Sequence, residues 1–286
     1  MKKSLLDLSG KIDGFRIGVF ESISDVAGSS GVPIIIVGAT ARDMILHEGY
    51  GIDTGRATMD IDFGVRVSDW SGYEQIKADL LKTGKFKPDK KQAQRLLYDD
   101  LMAVDIIPFG AIAGPDQCLS WPPEHDTSMS TLGFDEVYLN SITVRMRSDP
   151  VLDIQFVSLP GLALLKIISW NDNPLRSGKD APDLLLLMCK YLDAGNQERL
   201  WNEEKDLMGE AFDYEQAGSR LLGRDIARIL SPGIKEKVIE ILEKETGEQS
   251  RYRLVENMMR KGVESSDFEK ALQLLKDLKS GISERL

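Results

Sequence analysis

Cysteine and histidine are scarce in this chain, and their scarcity excludes several kinds of functional site. The 286 residues include two cysteines, Cys118 and Cys189, and two histidines, His47 and His125. The cysteines are far apart and have no Cys-x-x-Cys partner, so we expect neither a disulfide framework nor a structural zinc site. With so few histidines, a histidine-rich metal centre or a serine-histidine triad has little material, and we assign neither histidine a role.

Long apolar runs are also missing from the chain. No stretch approaches the roughly 18 uninterrupted apolar residues that a membrane helix needs. The N-terminus carries two lysines but no long apolar segment, because Asp7, Lys11 and Asp13 interrupt it, so a signal peptide is not expected. We therefore predict a cytoplasmic protein with no membrane association. The net charge of -10 argues against a broad basic surface for nucleic acid but leaves room for a local basic groove.

The hydrophobic pattern changes once along the chain. Through residue 158, alternating or β-branched runs typical of strands mix with helical spacings, and from Leu159 onward the helical period persists. The sequence predicts an α+β fold, with a mixed-sheet core flanked by helices over residues 1–158 and a helical domain over 159–286. Helices are predicted in the second part at Leu159–Ile168, Lys179–Leu192, Glu198–Ala211, Tyr214–Leu230 and Gly233–Lys244.

The first part is predicted to alternate between strands and helices. Strands are predicted at Val32–Val37, Met59–Val67, Gln94–Asp99, Leu101–Pro108, Phe134–Arg147 and Val151–Val157. Helices are predicted at Phe15–Ala27, Ala39–Glu48 and Ser71–Thr83, and a loop at Gly114–Gly133.

Asp60 and Asp62 are the most informative pair of residues in the sequence. They lie one residue apart in a strand-like segment, and residues two apart on a strand point to the same face. A third carboxylate, Asp105, is embedded in another strand-like run, Ala103–Ile107. Carboxylates held this close repel one another unless a cation lies among them, and hard divalent ions such as Mg²⁺ prefer oxygen ligands.

Three carboxylates on strand-like segments suit two-metal chemistry on a phosphate. Two Mg²⁺ ions about 3.5–4 Å apart can polarise the α-phosphate of an NTP and activate an attacking hydroxyl. We predict that Asp60 and Asp62 bridge the two ions. Asp105 is predicted to bind the ion nearer the acceptor hydroxyl and to favour deprotonation of that hydroxyl.

The nucleotide also needs donors for its phosphates. Gly38-Ala39-Thr40 follows a buried strand and precedes a helix, so its backbone N–H groups and the Thr40 hydroxyl are candidates. The segment contains neither the GxGxxG of a dinucleotide fold nor the GxxxxGK[ST] of a P-loop. Candidate cations for the triphosphate and the leaving pyrophosphate are Arg42, Arg56, Lys166, Arg176 and Lys179.

With these residues the chain resembles the nucleotidyltransferase superfamily, which has the DNA-polymerase-beta-like fold. The family pattern is a Gly-Ser or Gly-Gly after a strand, an apolar-Asp-apolar-Asp strand, and a third acidic residue on a later strand. Gly38-Ala39-Thr40, Met59–Phe63 and Val104–Ile106 match it in order and type. Ala39 departs from the usual Ser or Gly, and Thr40 is the candidate to supply the missing hydroxyl.

Within the superfamily the chain looks most like the AbiEii/AbiGii-type nucleotidyltransferases, the toxin halves of bacterial abortive-infection and toxin–antitoxin pairs. The segments that carry this closer resemblance are Arg56–Thr58, Leu165-Lys166 with Arg176–Asp180 and Asp183-Leu184, and Ala217–Asp225. The resemblance implies that Lys166, Lys179 and Asp183 support activity. It also implies RNA such as tRNA as the acceptor, and a cognate antitoxin as a partner.

Two other functions remain open on the sequence. A nucleotidyltransferase acting on a small molecule such as an antibiotic is mildly favoured by the acidic charge, because a cationic acceptor would be attracted and RNA repelled. A non-catalytic nucleotide-binding sensor is supported by Ala39 alone. The ordinary alternatives are a solvated Asp-x-Asp strand face, surface ion pairs of Arg42, a Lys166 that reaches solvent, and a Lys179–Asp183 pair within one helix.

Overall fold

The protein consists of two compact units, Met1–Ser158 and Leu159–Leu286. The computed structural model describes residues 5–55, 58–122, 128–173, 178–209, 211–259 and 265–284. Within these ranges the first unit is α+β and the second is helical. The fold class is therefore the one predicted, whereas the functions predicted for the two parts remain predictions. None of the helices in the described ranges has the length and apolar character required to cross a bilayer.

The first unit is built on a mixed sheet. Its described strands are β1 (Leu5–Asp7), β2 (Ile34–Val37), β3 (Asp60–Arg66), β4 (Phe86–Pro88), β5 (Arg95–Tyr98), β6 (Met102–Phe109), β7 (Cys118–Ser120), β8 (Ser128–Ser130), β9 (Ile142–Ser148) and β10 (Val151–Phe156). Eight of these strands form one sheet in the order β1-β9-β10-β2-β3-β6-β5-β4, and β7 and β8 form a separate hairpin. The pairs β1–β9, β10–β2 and β3–β6 are parallel, and the remaining neighbours are antiparallel.

Helices occupy the connections of the first unit and most of the second. In the first unit they are α1 (Gly14–Ser30), α2 (Gly38–Asp43), α3 (Trp70–Lys82) and α4 (Phe134–Leu139). Helix α2 continues directly into a π-helical segment, Met44–Gly49. In the second unit they are α5 (Leu159–Asp172), α6 (Asp180–Lys190), α7 (Gln197–Asn202), α8 (Tyr214–Ile229), α9 (Pro232–Thr246), α10 (Arg253–Met258) and α11 (Ser265–Ser283).

The predicted alternation of β3 is present and anchors the core of the first unit. Ile61, Phe63 and Val65 are buried. The ring of Phe20 on α1 lies 5.9 Å from that of Phe63, which ties this helix to the centre of the sheet. Met59, which the pattern placed on the same apolar face, lies before the strand begins and is 80% exposed.

Two predicted elements are wrong in part. The strand predicted over Phe134–Arg147 is a helix, α4, for its first half, and β9 begins only at Ile142. Asp135 and Glu136 lie in the first turn of α4, where acidic side chains favour a helix. The predicted loop at Gly114–Gly133 contains the β7–β8 hairpin.

The helix predicted over Glu198–Ala211 is also too long, because α7 ends at Asn202. The chain turns there and buries Glu204, whose carboxylate binds Arg224 and Arg228 of α8. A carboxylate buried between two guanidinium groups is a tertiary contact, and no local spacing indicates it.

Helices α8 and α11 of the second unit approach each other through glycine. A Cβ atom added to Gly223 would lie 3.0 Å from the Cα of Gly281, and one added to Gly281 would overlap the backbone of Arg220. The Ser219 hydroxyl donates a buried hydrogen bond of 2.7 Å to the carbonyl of Leu274. Side chains larger than glycine would therefore separate the two backbones.

We predict that Gly223→Ala destabilises the protein by about 1–3 kcal/mol, because the added methyl group forces two packed backbones apart. Gly233→Ala is the matched control, since a Cβ at that position in α9 meets nothing within 4 Å. The control should be neutral or stabilising by up to about 1 kcal/mol, the difference in helix propensity. Urea unfolding of both variants measures these changes, and equal free energies of unfolding would contradict the proposed close approach.

Candidate active site

The three acidic residues singled out in the sequence meet on one face of the sheet. Strands β3 and β6 pair in parallel with Asp62 opposite Asp105 and Asp60 opposite Ala103. Neighbouring residues of paired strands share a face, as do residues two apart on one strand. The Arg95 guanidinium contacts both Asp60 and Asp105, which shows directly that these two carboxylates point to the same side.

Gly38 brings its backbone close to Asp62. It follows the last residue of β2, Val37, which pairs with Asp62, and its φ of +69° lies in the region that favours glycine. A Cβ atom at this position would overlap the Asp62 carboxylate, lying 2.9 Å from its Cγ. The segment predicted to approach a phosphate thus approaches a carboxylate of this chain, and both Gly38 and Ala39 are half-buried.

Two threonines hold Asp60. The Thr40 hydroxyl, buried on α2, donates a 2.6 Å hydrogen bond to the Asp60 carbonyl oxygen. The Thr58 hydroxyl donates a 2.8 Å hydrogen bond to Asp60 Oδ1. Thr40 therefore connects α2 to β3, and its hydroxyl proton is directed at the protein. The sequence predicted no separate role for Thr58, although its position two residues before Asp60 places the two residues on the same side of the chain.

Arg42 is an internal residue of this unit. Its side chain is fully buried, and its Nε and Nη2 donate hydrogen bonds of 2.8 and 2.6 Å to Asp43 Oδ1. Asp43 Oδ2 accepts a 3.2 Å hydrogen bond from the Thr58 backbone N–H. Arg42 thus helps to fasten α2 to the segment before β3, and its contact with a triphosphate remains a prediction. Arg56 and Arg176 lie outside the described residues.

Arg95 is a further residue of this site for which the sequence predicted no role. It lies on β5, directly opposite Asp105 of β6 in the antiparallel register. Its Nε and Nη2 donate 2.7 Å hydrogen bonds to the two carboxylate oxygens of Asp105, and Nη2 lies 3.5 Å from Asp60 Oδ2. The hydrogen bonds to Asp105 raise the pKa of the guanidinium above its ordinary value. The short connection between two predicted strands would have indicated a hairpin that pairs these residues.

The carboxylates of Asp60, Asp62 and Asp105 are suitable ligands for a divalent cation, but they are not arranged around one in this structure. Within the described ranges, no group of three or more Asp, Glu, His or Cys side chains is already positioned to hold a metal ion. Asp60, Asp62 and Asp105 nevertheless supply hard oxygen atoms on adjacent strands, which is the chemistry Mg²⁺ prefers. The arrangement differs from a formed metal site because both oxygens of Asp105 bind Arg95.

A cavity of about 330 Å³ adjoins Asp60. Most of its lining residues are acidic or polar, and Met59, Ile61 and Met102 contribute to a substantial apolar surface. The charged or titratable lining residues are Arg16, Asp43, His47, Glu48, Asp53 and Asp60. The cavity therefore has the volume for a small polar molecule beside a predicted metal ligand, and its carboxylates favour positive charge. His47, to which the sequence assigned no role, is part of it.

Lys166 lies in the helical unit and forms a separate charged cluster. It is 9% exposed, and its Nζ lies 2.7 Å from Asp180 Oδ1 and 3.0 Å from Asp183 Oδ2. Burial lowers the pKa of Lys166, but Asp180 and Asp183 outweigh burial and raise it above its ordinary value. Asp183 is thus paired with Lys166, while Lys179 is an exposed residue that precedes α6. The catalytic roles of Lys166, Lys179 and Asp183 remain predictions.

Comparisons with known proteins give matches among solved structures only. No protein-family model matches the chain, and no curated protein matches it. The antibiotic-resistance factor ANT(2'')-Ia matches at TM-score 0.36 and 15% identity over 69% of this chain and 96% of its own. The Thermotoga maritima CCA-adding enzyme complexed with tRNA matches at TM-score 0.33 and 13% identity, over 96% of this chain and 82% of its own. A CCA-adding enzyme in complex with ATP matches at TM-score 0.33 and 15% identity, over 91% of this chain and 66% of its own. TM-scores this low say nothing about the activity of this chain.

We predict that Lys166→Met destabilises the protein by about 3 kcal/mol, because it leaves two largely buried carboxylates without their cation. Lys190→Met is the matched control, since Lys190 pairs with Asp193 at 3.2 Å but is 41% exposed. An exposed pair contributes less than about 1 kcal/mol. Thermal unfolding of both variants measures the difference, and a Lys166→Met protein as stable as the control would exclude a structural role for this lysine.

We predict that Gly38→Ala destabilises the protein by more than Gly31→Ala does. Both positions have positive φ, so each substitution carries a backbone cost of about 1–2 kcal/mol. Only Gly38→Ala also displaces the Asp62 carboxylate, because a Cβ at Gly31 meets nothing within 4 Å. Chemical denaturation compares the two variants, and equal losses of stability would show that Asp62 has room to move.

Proposed function

We propose that this protein is a nucleotidyltransferase that moves an NMP from an NTP to an acceptor hydroxyl. The observation that carries the proposal is the convergence of Asp60, Asp62 and Asp105 on one face of adjacent strands, beside the backbone of Gly38. In the reaction, the acceptor oxygen forms a bond to the α-phosphorus while the bond to the bridging oxygen of the β-phosphate breaks. Pyrophosphate leaves, and the proton of the hydroxyl passes to solvent.

The carboxylates are proposed to hold the divalent cations that the reaction needs. When bound, two Mg²⁺ ions would offset the negative charge of the triphosphate and lower the pKa of the acceptor hydroxyl. Asp60 and Asp62 would be shared between the two ions, and Asp105 would bind the one nearer the acceptor. Thr58 and Thr40 contribute by fixing the side chain and the carbonyl of Asp60, so that this ligand needs little reorganisation.

The acceptor class is proposed on two different grounds. The residues that resemble AbiEii/AbiGii-type toxins favour RNA such as tRNA, with growth arrest as the outcome and a cognate antitoxin as partner. The acidic cavity beside Asp60 favours the second candidate, a small cationic molecule, because Asp43, Glu48 and Asp53 would attract positive charge and repel a polyanion. In both cases the cation-binding carboxylates and the chemical step are the same.

We predict that Asp60→Ala lowers nucleotidyl transfer at least about a hundredfold, because a carboxylate proposed to hold the charge-stabilising Mg²⁺ ions is lost. Asp153→Ala is the matched control. Asp153 is also an acidic residue paired with an arginine across neighbouring strands of the same sheet, and Arg145 Nε lies 2.9 Å from its Oδ1. This control should keep its activity.

The assay uses the full chain with Mg²⁺ and each α-³²P-labelled NTP in turn. Total tRNA, a panel of aminoglycosides and buffer alone serve as acceptors. Label on RNA would support the toxin, and label on an aminoglycoside would support the small-molecule enzyme. Tight NTP binding without transfer to any acceptor would instead favour a nucleotide sensor. Full Mg²⁺-dependent activity of Asp60→Ala would disprove the site.

Induced expression in a bacterial host should arrest growth for the unmodified chain and not for Asp60→Ala if the toxin proposal is correct.

A further inference from the structure

Arg95 occupies the position where a cation is required. Asp62 and Asp105 are direct neighbours in the β3–β6 pair, and Asp60 lies two residues before Asp62. Like charges on directly paired residues destabilise a sheet. The guanidinium of Arg95 supplies a positive charge to this group, through two hydrogen bonds to Asp105 and a 3.5 Å ion pair with Asp60.

The same contacts compete with a metal ion. A bidentate guanidinium binds both oxygens of a carboxylate, and here it binds both oxygens of Asp105. Arginine stays protonated throughout the range in which proteins are folded, so Asp105 is not released by loss of a proton from Arg95. Release requires the guanidinium to move away from the carboxylate. A divalent ion that takes the lone pairs of Asp105 now used by the guanidinium displaces Arg95.

We propose that Arg95 is a positioning residue that acts as an internal counter-ion, holding Asp105 and Asp60 in the metal-free protein and leaving Asp105 when a divalent cation binds. The inference rests on the proposed function, because it takes these carboxylates to be the metal ligands. It assigns Arg95 an effect on metal affinity that an ordinary cross-strand ion pair would not have.

Arg145 provides a matched comparison within the same sheet. It also forms a bidentate pair across antiparallel strands, with Nε and Nη2 at 2.9 and 3.0 Å from the carboxylate oxygens of Asp153. Arg145 lies on β9 between Asp7 of β1 and Asp153 of β10. These two carboxylates are separated by a strand, so removing Arg145 does not leave acidic residues side by side.

The test measures Mn²⁺ binding to the full chain by electron paramagnetic resonance of the free ion, without NTP. We expect Arg95→Met to bind Mn²⁺ at least about tenfold more tightly than the unmodified protein, because a charge-assisted bidentate pair no longer competes. Arg145→Met should bind Mn²⁺ as the unmodified protein does. Arg95→Lys, which keeps the charge but loses the bidentate geometry, should lie between Arg95→Met and the unmodified protein. Asp105→Asn in the Arg95→Met background should abolish the gain.

The outcomes separate this inference from the proposed function. Equal or weaker Mn²⁺ binding by Arg95→Met than by the unmodified protein would overturn the role of Arg95 and leave the proposed function standing. No binding by either protein in the absence of NTP would overturn the inference, and the transfer assay with NTP would decide the proposed function by itself. If Arg95→Met fails to fold, a Mg²⁺ titration of the unmodified chain followed by NMR tests the same inference. The Arg95 Nε–H resonance, assigned by its loss in Arg95→Lys, should shift as the guanidinium leaves Asp105, and an unchanged resonance at saturating Mg²⁺ would overturn the inference.

Discussion

The parallel pairing of β3 with β6 is the constraint on which the rest of the site depends. It places Asp62 beside Asp105, so two like charges are held together by backbone hydrogen bonds that neither side chain can alter. Such a pair needs a cation. In this structure Arg95 of the next strand supplies one, and it does so on Asp105, the carboxylate proposed above as a metal ligand. The strand pairing therefore places two carboxylates side by side, and it also places Arg95 where it competes with a metal ion for Asp105.

The surroundings of Asp60 limit what the site can accept. Thr58 and Thr40 fix this residue from the segment before β3 and from α2, while Gly38 leaves room for Asp62. Among the described residues, the lining of the neighbouring cavity adds further carboxylates and the guanidinium of Arg16. A triphosphate entering such surroundings needs metal ions to offset the repulsion, whereas a cationic acceptor would be attracted directly.

Several charged residues of the helical unit form ion pairs with one another. Arg224 of α8 is buried and binds Glu204, Asp206 and Glu284, and Lys166 lies between Asp180 and Asp183. The Ala217–Asp225 segment, which carried part of the resemblance to a toxin family, supplies the glycine and serine contacts to α11. A pattern in this segment is therefore explained first by helix packing, and its residues alone do not define an acceptor.

The sequence by itself determined the α+β class, the strand alternation around Asp60 and the identity of the three carboxylates, because period-two patterning and residue type are local properties. Only the tertiary structure decided what those groups touch. The register that sets Arg95 against Asp105, the burial of Arg42, and the pairing of Asp183 with Lys166 depend on contacts between elements. The helix α4 was missed for a related reason, since its short amphipathic pattern does not distinguish a helix from a strand. A charge in a sequence indicates that a partner is needed, and the packing of strands and helices determines which partner it has.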